Sequence, residues 1–305
     1  MKGQGAAIRV PFDPGPRGIA MKILVFGEIG QLGQELMRRK GDVELEVRGL
    51  DEADFTKPET CVAFVESTDA DAVINAVAYT AVDKAEEQEE LAEMINATTP
   101  GALARAAAAR GLPFVQVSTD YVFDGSGDQP FAVDHPTAPL GAYGRTKLNG
   151  ELAVRDAGGA HAILRTSWVV SAHGHNFIKT MLKLGKERDT LTIVADQIGG
   201  PTPAAALADA CLAAASGLLA DTSTTGTYHV SGGPDVSWAD FAREIFAQAG
   251  ITCAVEDIPS SAYPTPAKRP FNSRMDNSAT QAAFGTPRPD WKQGLRDILT
   301  DLGEI

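Results

Sequence analysis

A short apolar run, Ile23 to Phe26, leads straight into Gly27-Glu28-Ile29-Gly30-Gln31-Leu32-Gly33 and then into a helical pattern from Gln31 to Lys40. Few local patterns restrict a fold as much as this one. Glycines here permit positive φ, let an anion approach the backbone and let the helix lie close to the strand, while the helix start offers unpaired N–H groups to that anion. A glycine trio alone is weak. Its position after a strand and before a helix gives it weight as a dinucleotide-binding turn, with Gly27, Gly30 and Gly33 as the candidate residues. A tight turn without a ligand is the alternative. Glu28 is a misfit beside a diphosphate unless its carboxylate turns to solvent.

The rest of the chain extends this pattern. Apolar runs at Val43 to Val47, Ala72 to Ala78, Pro113 to Val117 and Ala162 to Leu164 alternate with helical stretches such as the alanine-rich Gly101 to Arg110. That alternation predicts βαβ units and hence an α/β fold, a Rossmann-type doubly wound parallel sheet covered on both faces, over residues 21–165. After about Thr166 the alternation loosens. Pro259, Pro264, Pro266 and Pro270 make Ile258 to Asn277 read as ordered loop. A smaller, partly interleaved C-terminal substrate-binding domain is therefore expected over 166–305, with a segment near 196–222 returning to the first domain. It would lie over the carboxyl edge of the sheet, where α/β folds bind ligands. Residues 1–20 carry Arg9, Pro11, Asp13, Pro14 and Pro16, leave no apolar core for a signal peptide, and read as a disordered extension.

Charge and cysteine content narrow the function classes. With 27 Lys and Arg against 40 Asp and Glu, the net charge of −13 leaves no electrostatic footprint for nucleic acid or an anionic membrane. No apolar window is long enough for a membrane span. Cys61, Cys211 and Cys253 are odd in number and far apart, which suits a reducing, cytoplasmic compartment and neither a disulfide framework nor a zinc site. An anionic small-molecule ligand would need a locally basic pocket.

Several residues could carry chemistry. Arg48 ends the second strand, where an acid would hydrogen-bond the ribose 2′-hydroxyl of NAD and an Arg would pair with the 2′-phosphate of NADP; Arg48 leans toward NADPH, with Asp51 and Asp54 as alternative ribose or adenine partners. Tyr143 and Lys147 stand four apart on a helix and so share a face. Ser118-Thr119-Asp120 closes an apolar strand, so a hydroxyl, a phenol and an ammonium meet at the mouth of the sheet. A free Tyr misses neutral pH by about 3 pH units, about 4 kcal/mol. A Lys cation at about 4 Å supplies a similar amount in an effective dielectric near 20, so Lys147 is expected to tune Tyr143 as a proton donor.

These residues resemble the extended short-chain dehydrogenase/reductases and, within them, the dTDP-4-dehydrorhamnose reductase family. The similarity runs from Met21 to near the C-terminus through GEIGQLG (27–33), VINAVAYTAVDKAE (73–86), INAT (95–98), STDYVFDG (118–125), YGRTK (143–147), RTSWV (165–169), DQIGGPT (196–202) and YPTPAKRPFNSRM (263–275). It implies reduction of the 4-keto group of dTDP-4-dehydro-β-L-rhamnose by NADPH or NADH. Position by position it implies Tyr143 as general acid, Lys147 as its partner and Thr119 as the substrate-orienting hydroxyl. Gly30, Gln31 and Leu32 would follow the pyrophosphate, Arg48, Asp54 and Phe55 the adenosine, and Val77, Ala78 and Tyr79 the cofactor beyond the third strand. Asp120, Trp168 and Asn176 would touch the sugar nucleotide, with Lys268, Arg269 and Arg274 meeting its diphosphate.

The resemblance has departures at Val170 and His175, and His173-Gly174-His175 reads as a polar loop. Some relatives dimerise around Mg²⁺, for which Glu35, Asp189 and Asp301 are the candidate ligands in a homodimer. Two rival readings stay open: another nucleotide-sugar epimerase or dehydratase, the latter disfavoured because Thr119-Asp120-Tyr121 supplies one acid, and a non-catalytic partner resembling the regulatory subunit of methionine adenosyltransferase.

Overall fold

A computed structural model describes residues 21–305, and the expectation for residues 1–20 lies outside them. Six parallel strands form the main sheet: β1 (Lys22–Phe26), β2 (Glu44–Arg48), β3 (Ala72–Asn75), β4 (Phe114–Thr119), β5 (His161–Thr166) and β6 (Gly226–Val230), in the order β6-β5-β4-β3-β1-β2. The order reverses between β1 and β3, so the carboxyl ends of those strands open a crevice at the switch point.

Alternate residues of each strand feed two cores, as a parallel sheet buried on both faces requires. Ile23, Val25, Ile74, Val115 and Leu164 pack under α1 (Gln31–Arg39) and the long alanine-rich helix Ala204–Ala220. Leu24, Phe26, Val73, Phe114 and Ile163 pack under the helices Pro58–Ser67 and Thr99–Ala109. Beside them runs the helix Ala142–Asp156, which carries Tyr143 and Lys147.

The second half of the chain is divided between two layers. Ala204–Ala220 packs on the main sheet and β6 belongs to it, so the portion of the chain after 165 that serves the first unit reaches to Val230. A separate core is built from the helices Phe177–Glu187, Trp238–Ala249 and Trp291–Asp301 around Phe241, Ile245, Trp291 and Leu299. A parallel pair, Thr190–Val194 with Ala254–Ile258, lies against this core. The proline-rich stretch is mostly irregular, as expected, and ends in the short strand Asn272–Ser273, paired with Ile198–Gly199. No helix among the described residues is long and apolar enough to cross a membrane.

Candidate active site

The glycine turn is held by backbone geometry that only glycine supplies. Gly27 has φ +108°, and its N–H donates to the Arg48 carbonyl at 3.0 Å, tying the turn to the end of β2. A Cβ on Gly33 would overlap the Gly27 carbonyl oxygen, whereas one on Gly30 would meet nothing within 4 Å. No side chain caps α1, so its first N–H groups face the open crevice. That cradle fits a dinucleotide diphosphate. The loop after β3 adjoins it: Val77 Cγ2 would lie 3.3 Å from a Gly27 Cβ, and the Tyr79 N–H donates to Asn96 Oδ1 at 2.8 Å. Ala78, between them, is half-buried.

The side chains read as cofactor contacts divide into those facing the crevice and those committed elsewhere. Leu32 and Phe55 are buried in the two cores, so only their backbones can face a ligand. Asp54 accepts from Thr56 and pairs with Lys57 at 3.1 Å, and the Thr56 hydrogen bonds hold its carboxyl at about 2. Arg48 donates to Glu46 at 2.6 Å and Glu52 at 3.2 Å while lying 4.6 Å over the Phe64 ring. Gln31 reaches across to the second unit, donating to the Val169 carbonyl at 3.2 Å and accepting from Ser171 at 2.9 Å.

Thr119, Asp120, Tyr143 and Lys147 gather at the end of β4. Two close approaches fix their helix: a Cβ on Gly144 would overlap the Tyr121 carbonyl just past β4, and one on Gly150 the Asn96 carbonyl of the neighbouring helical segment Met94–Thr98. Burial pushes the Tyr143 phenol up to about 12, opposed by the Thr119 hydroxyl and reinforced by the Asp120 carboxylate. Thr119 itself donates to Asp120 at 3.0 Å. Burial pushes Asp120 up to about 6 against the pull of the Ser273 and Thr119 hydroxyls. Lys147, 3% exposed, donates to the Val117 carbonyl at 2.6 Å, and burial lowers it to about 8 against the attraction of Glu151. In the free protein burial dominates the Tyr143 phenol, and one ammonium proton of Lys147 is given to the Val117 carbonyl, which leaves two.

Trp168 adopts φ +48°, unusual for a bulky residue, and stacks on Trp238 with centroids 3.6 Å apart. Its ring lies where Cβ atoms on Gly199 would press at 3.0 Å, which explains the glycine. Trp238 was not anticipated; an aromatic at the start of a helical pattern reads as core until its stacking partner is known. The proline-rich loop docks on the segment after β4, with the Asn272 N–H donating to the Gly125 carbonyl at 3.0 Å. Arg269 pairs with Asp83 at 2.8 Å, with Nη1 buried and unpartnered, while Arg274 donates to Asn272 and Lys268 is exposed.

Two sets of expected site residues are engaged with partners within the chain. Asn176 caps the helix that follows it, its Oδ1 accepting from the Lys179 N–H at 3.2 Å, while its amide donates to Gln31 of the glycine turn at 2.8 Å and to the Ser171 carbonyl at 2.7 Å. The acids read as Mg²⁺ ligands of a homodimer have the following partners within this chain. Arg38 pairs with both Glu35 and Asp301, His173 lies 3.3 Å from Glu35, and Asp189 precedes a strand of the second unit. No group of three or more metal-ligating side chains converges among the described residues.

The reversed parallel sheet, the glycine turn and the helix bearing Tyr143 and Lys147 are those of the short-chain dehydrogenase/reductase class. The sequence profile of the RmlD substrate binding domain matches residues 21–304. The dTDP-4-dehydrorhamnose reductase of Salmonella typhimurium is 43% identical over 92% of this chain and 98% of its own length. Among solved structures, a dTDP-4-dehydrorhamnose reductase from Clostridium acetobutylicum superposes with a TM-score of 0.86 at 38% identity, covering 93% of this chain and 100% of that one. One from Bacillus anthracis, in complex with NADP, gives 0.86 at 32% identity with the same coverage. The chain belongs to the RmlD family.

Proposed function

We propose that this chain reduces the 4-keto group of dTDP-4-dehydro-β-L-rhamnose to the alcohol of dTDP-β-L-rhamnose, with a reduced nicotinamide dinucleotide in the crevice. The observation that carries the reading is the buried group Thr119, Tyr143 and Lys147 beside an uncapped glycine turn, in a chain that spans nearly the whole of its reductase relatives. The free cysteines suit a cytoplasmic reaction.

The dinucleotide supplies a hydride to C4. The carbonyl π electrons then move onto oxygen, and the proton that completes the alcohol comes from the Tyr143 phenol. With its phenol raised to about 12, Tyr143 is fully protonated at neutral pH and is still a far stronger acid than the alcohol it makes. The Thr119 hydroxyl, which donates to Asp120 in the free protein, would turn to donate to the same oxygen and fix its distance from Tyr143. Lys147, with two ammonium protons left after Val117, places positive charge beside the phenolate until solvent returns the proton. Gly30, Gln31, Leu32 and Gly33 cradle the diphosphate of the dinucleotide. Asp120 and Trp168 border the sugar, and Arg269, Arg274 and Lys268 offer cations to the substrate diphosphate.

The test follows oxidation of NADPH and NADH by the purified protein with dTDP-4-dehydro-L-rhamnose generated in situ, beside Tyr143→Phe. Cofactor oxidation with formation of dTDP-rhamnose, lost by about 10²-fold or more in the variant, is expected. A folded wild type that binds cofactor and turns nothing over would overturn the reading.

A further inference from the structure

Gln31 opens α1 in the glycine turn, yet its side chain is committed to the second unit. Its Nε2 donates to the Val169 carbonyl at 3.2 Å, and its Oε1 accepts from Ser171 Oγ at 2.9 Å and from Asn176 Nδ2 at 2.8 Å. Three of the four hydrogen-bonding positions of a Gln amide are thereby used. A Cβ on Gly174 would stand 3.4 Å from Gln31 Cγ, so the loop also rests on the stem of the side chain. One turn along the same face of α1, Glu35 lies 3.3 Å from His173. The start of α1 is thus clasped to residues 169–176.

The segment held in this way adjoins Trp168. Its φ of +48° is a conformation that a bulky residue keeps only where its surroundings enforce it. Ser167 Oγ donates to the Gly200 carbonyl at 2.9 Å, the Thr202 N–H donates to the Trp168 carbonyl at 3.1 Å, and Gln31 holds the next carbonyl, that of Val169. The first two restraints come from one neighbouring segment, whose strand Thr202–Pro203 pairs with Val169–Val170. The third comes from the glycine turn. Together they set the backbone from which the Trp168 indole stacks on Trp238.

We propose that Gln31 is a positioning residue for the sugar nucleotide: its backbone serves the dinucleotide, while its side chain sets Trp168 at the border of the sugar pocket. The proposal rests on the reductase reading, in which Trp168 meets the sugar. A residue of the cofactor turn is then felt at the other ligand. Loosening the clasp frees the indole from the orientation that the sugar meets and weakens substrate binding. The N–H groups at the start of α1 belong to the backbone and stay in place for the dinucleotide.

The test combines steady-state kinetics with NADPH binding by nicotinamide fluorescence, on the full-length protein, for wild type, Gln31→Met, Ser171→Ala and the double variant. Met keeps the length and helix propensity of Gln and removes all of its side-chain hydrogen bonds. Gln31→Met is expected to raise KM for dTDP-4-dehydro-L-rhamnose about tenfold, with kcat within about threefold and the NADPH dissociation constant within about twofold of wild type. Ser171→Ala should raise KM about threefold and add nothing to Gln31→Met in the double variant, because both loosen one clasp. An unchanged KM in Gln31→Met, or a KM and an NADPH dissociation constant that rise in parallel, overturns the proposal and leaves the reductase reading standing. Should Gln31→Met not fold, Ser171→Ala decides alone: a raised KM with NADPH affinity intact supports the clasp, and an unchanged KM overturns it. A folded wild type that binds NADPH and does not reduce the substrate removes both readings.

Discussion

The Glu86 carboxylate accepts the backbone N–H of Ala142 at 2.8 Å and so caps, from 56 residues away, the helix that carries Tyr143 and Lys147. Gly141, the residue before that helix, has no side chain to serve as cap, and a Cβ there would overlap Glu86 Oε1. A distant acid thereby fixes the first turn of the helix at the residue adjoining Tyr143.

Replacing Glu86 with Ala leaves that N–H without its acceptor. The expected cost is about 1 kcal/mol of stability, read as a lower midpoint in urea unfolding. Since Tyr143 follows Ala142, kcat should fall several-fold with little change in dinucleotide affinity. Glu86→Gln retains an acceptor oxygen and should recover most of both losses. Unchanged kcat in Glu86→Ala would show that the cap does not position Tyr143.

Asp120 provides a pH dependence of known sign. Burial raises its carboxyl from 3.8 to about 6, so the folded protein holds a proton through that interval that the unfolded chain releases. This contribution to stability is complete below pH 3.8 and is lost as the pH rises through 6, about 3 kcal/mol in all. Asp120→Asn removes it. Unfolding free energies of wild type and variant measured from pH 4 to 7 should converge at the acid end and separate in favour of the variant at the neutral end. Parallel curves would place the carboxyl at an ordinary value.

The sheet was readable because its strands are apolar runs between helical periods, and the glycine turn because each glycine answers a backbone requirement that local sequence exposes. β6 was not anticipated. Gly226-Thr227-Tyr228-His229-Val230 has no apolar run, and its His229 is buried by tertiary contacts, with its carbonyl accepting from Thr280. Tyr143 and Lys147 were legible from their helical spacing. Glu86, Gly144 and Gly150 were not, because their partners lie on other elements and long-range contacts leave no local periodicity. Asn176 stands directly before the helix Phe177–Glu187, and the ordinary preference of Asn for helix caps makes its capping role legible in the sequence.

Gly33 should tolerate no side chain. A Cβ there would overlap the Gly27 carbonyl oxygen, which is backbone and cannot swing aside. Gly33→Ala is expected to lose about 2 kcal/mol of stability and to weaken NADH and NADPH binding together, since the displaced turn is common to both. Gly30→Ala, with nothing within 4 Å of the added Cβ, should fold normally, which makes it the control for stability. Equal stabilities for the two variants would contradict the close approach.

Behind the site, Glu151 joins stability to chemistry. Its carboxylate is fully buried, accepts two bonds from the Arg165 guanidinium at 2.8 and 2.7 Å, and also accepts from Ser118 at 2.6 Å and Arg155 at 2.7 Å. Glu151→Ala leaves Arg165 charged and buried without its partner, for an expected loss of about 3–5 kcal/mol in denaturant unfolding. Glu151→Gln keeps the shape and part of the hydrogen bonding, so enough folded protein should remain for kinetics. Glu151 is also the charge that supports protonation of Lys147 against burial, and Lys147 stands at about 8 with it in place. Removing that charge lets burial lower the ammonium further. The alkaline limb of the kcat profile of Glu151→Gln should therefore move to lower pH than in wild type, because the protonated Lys147 beside the phenolate is lost earlier. A limb that stays in place, in a variant shown to be folded, would mean that another group sets it.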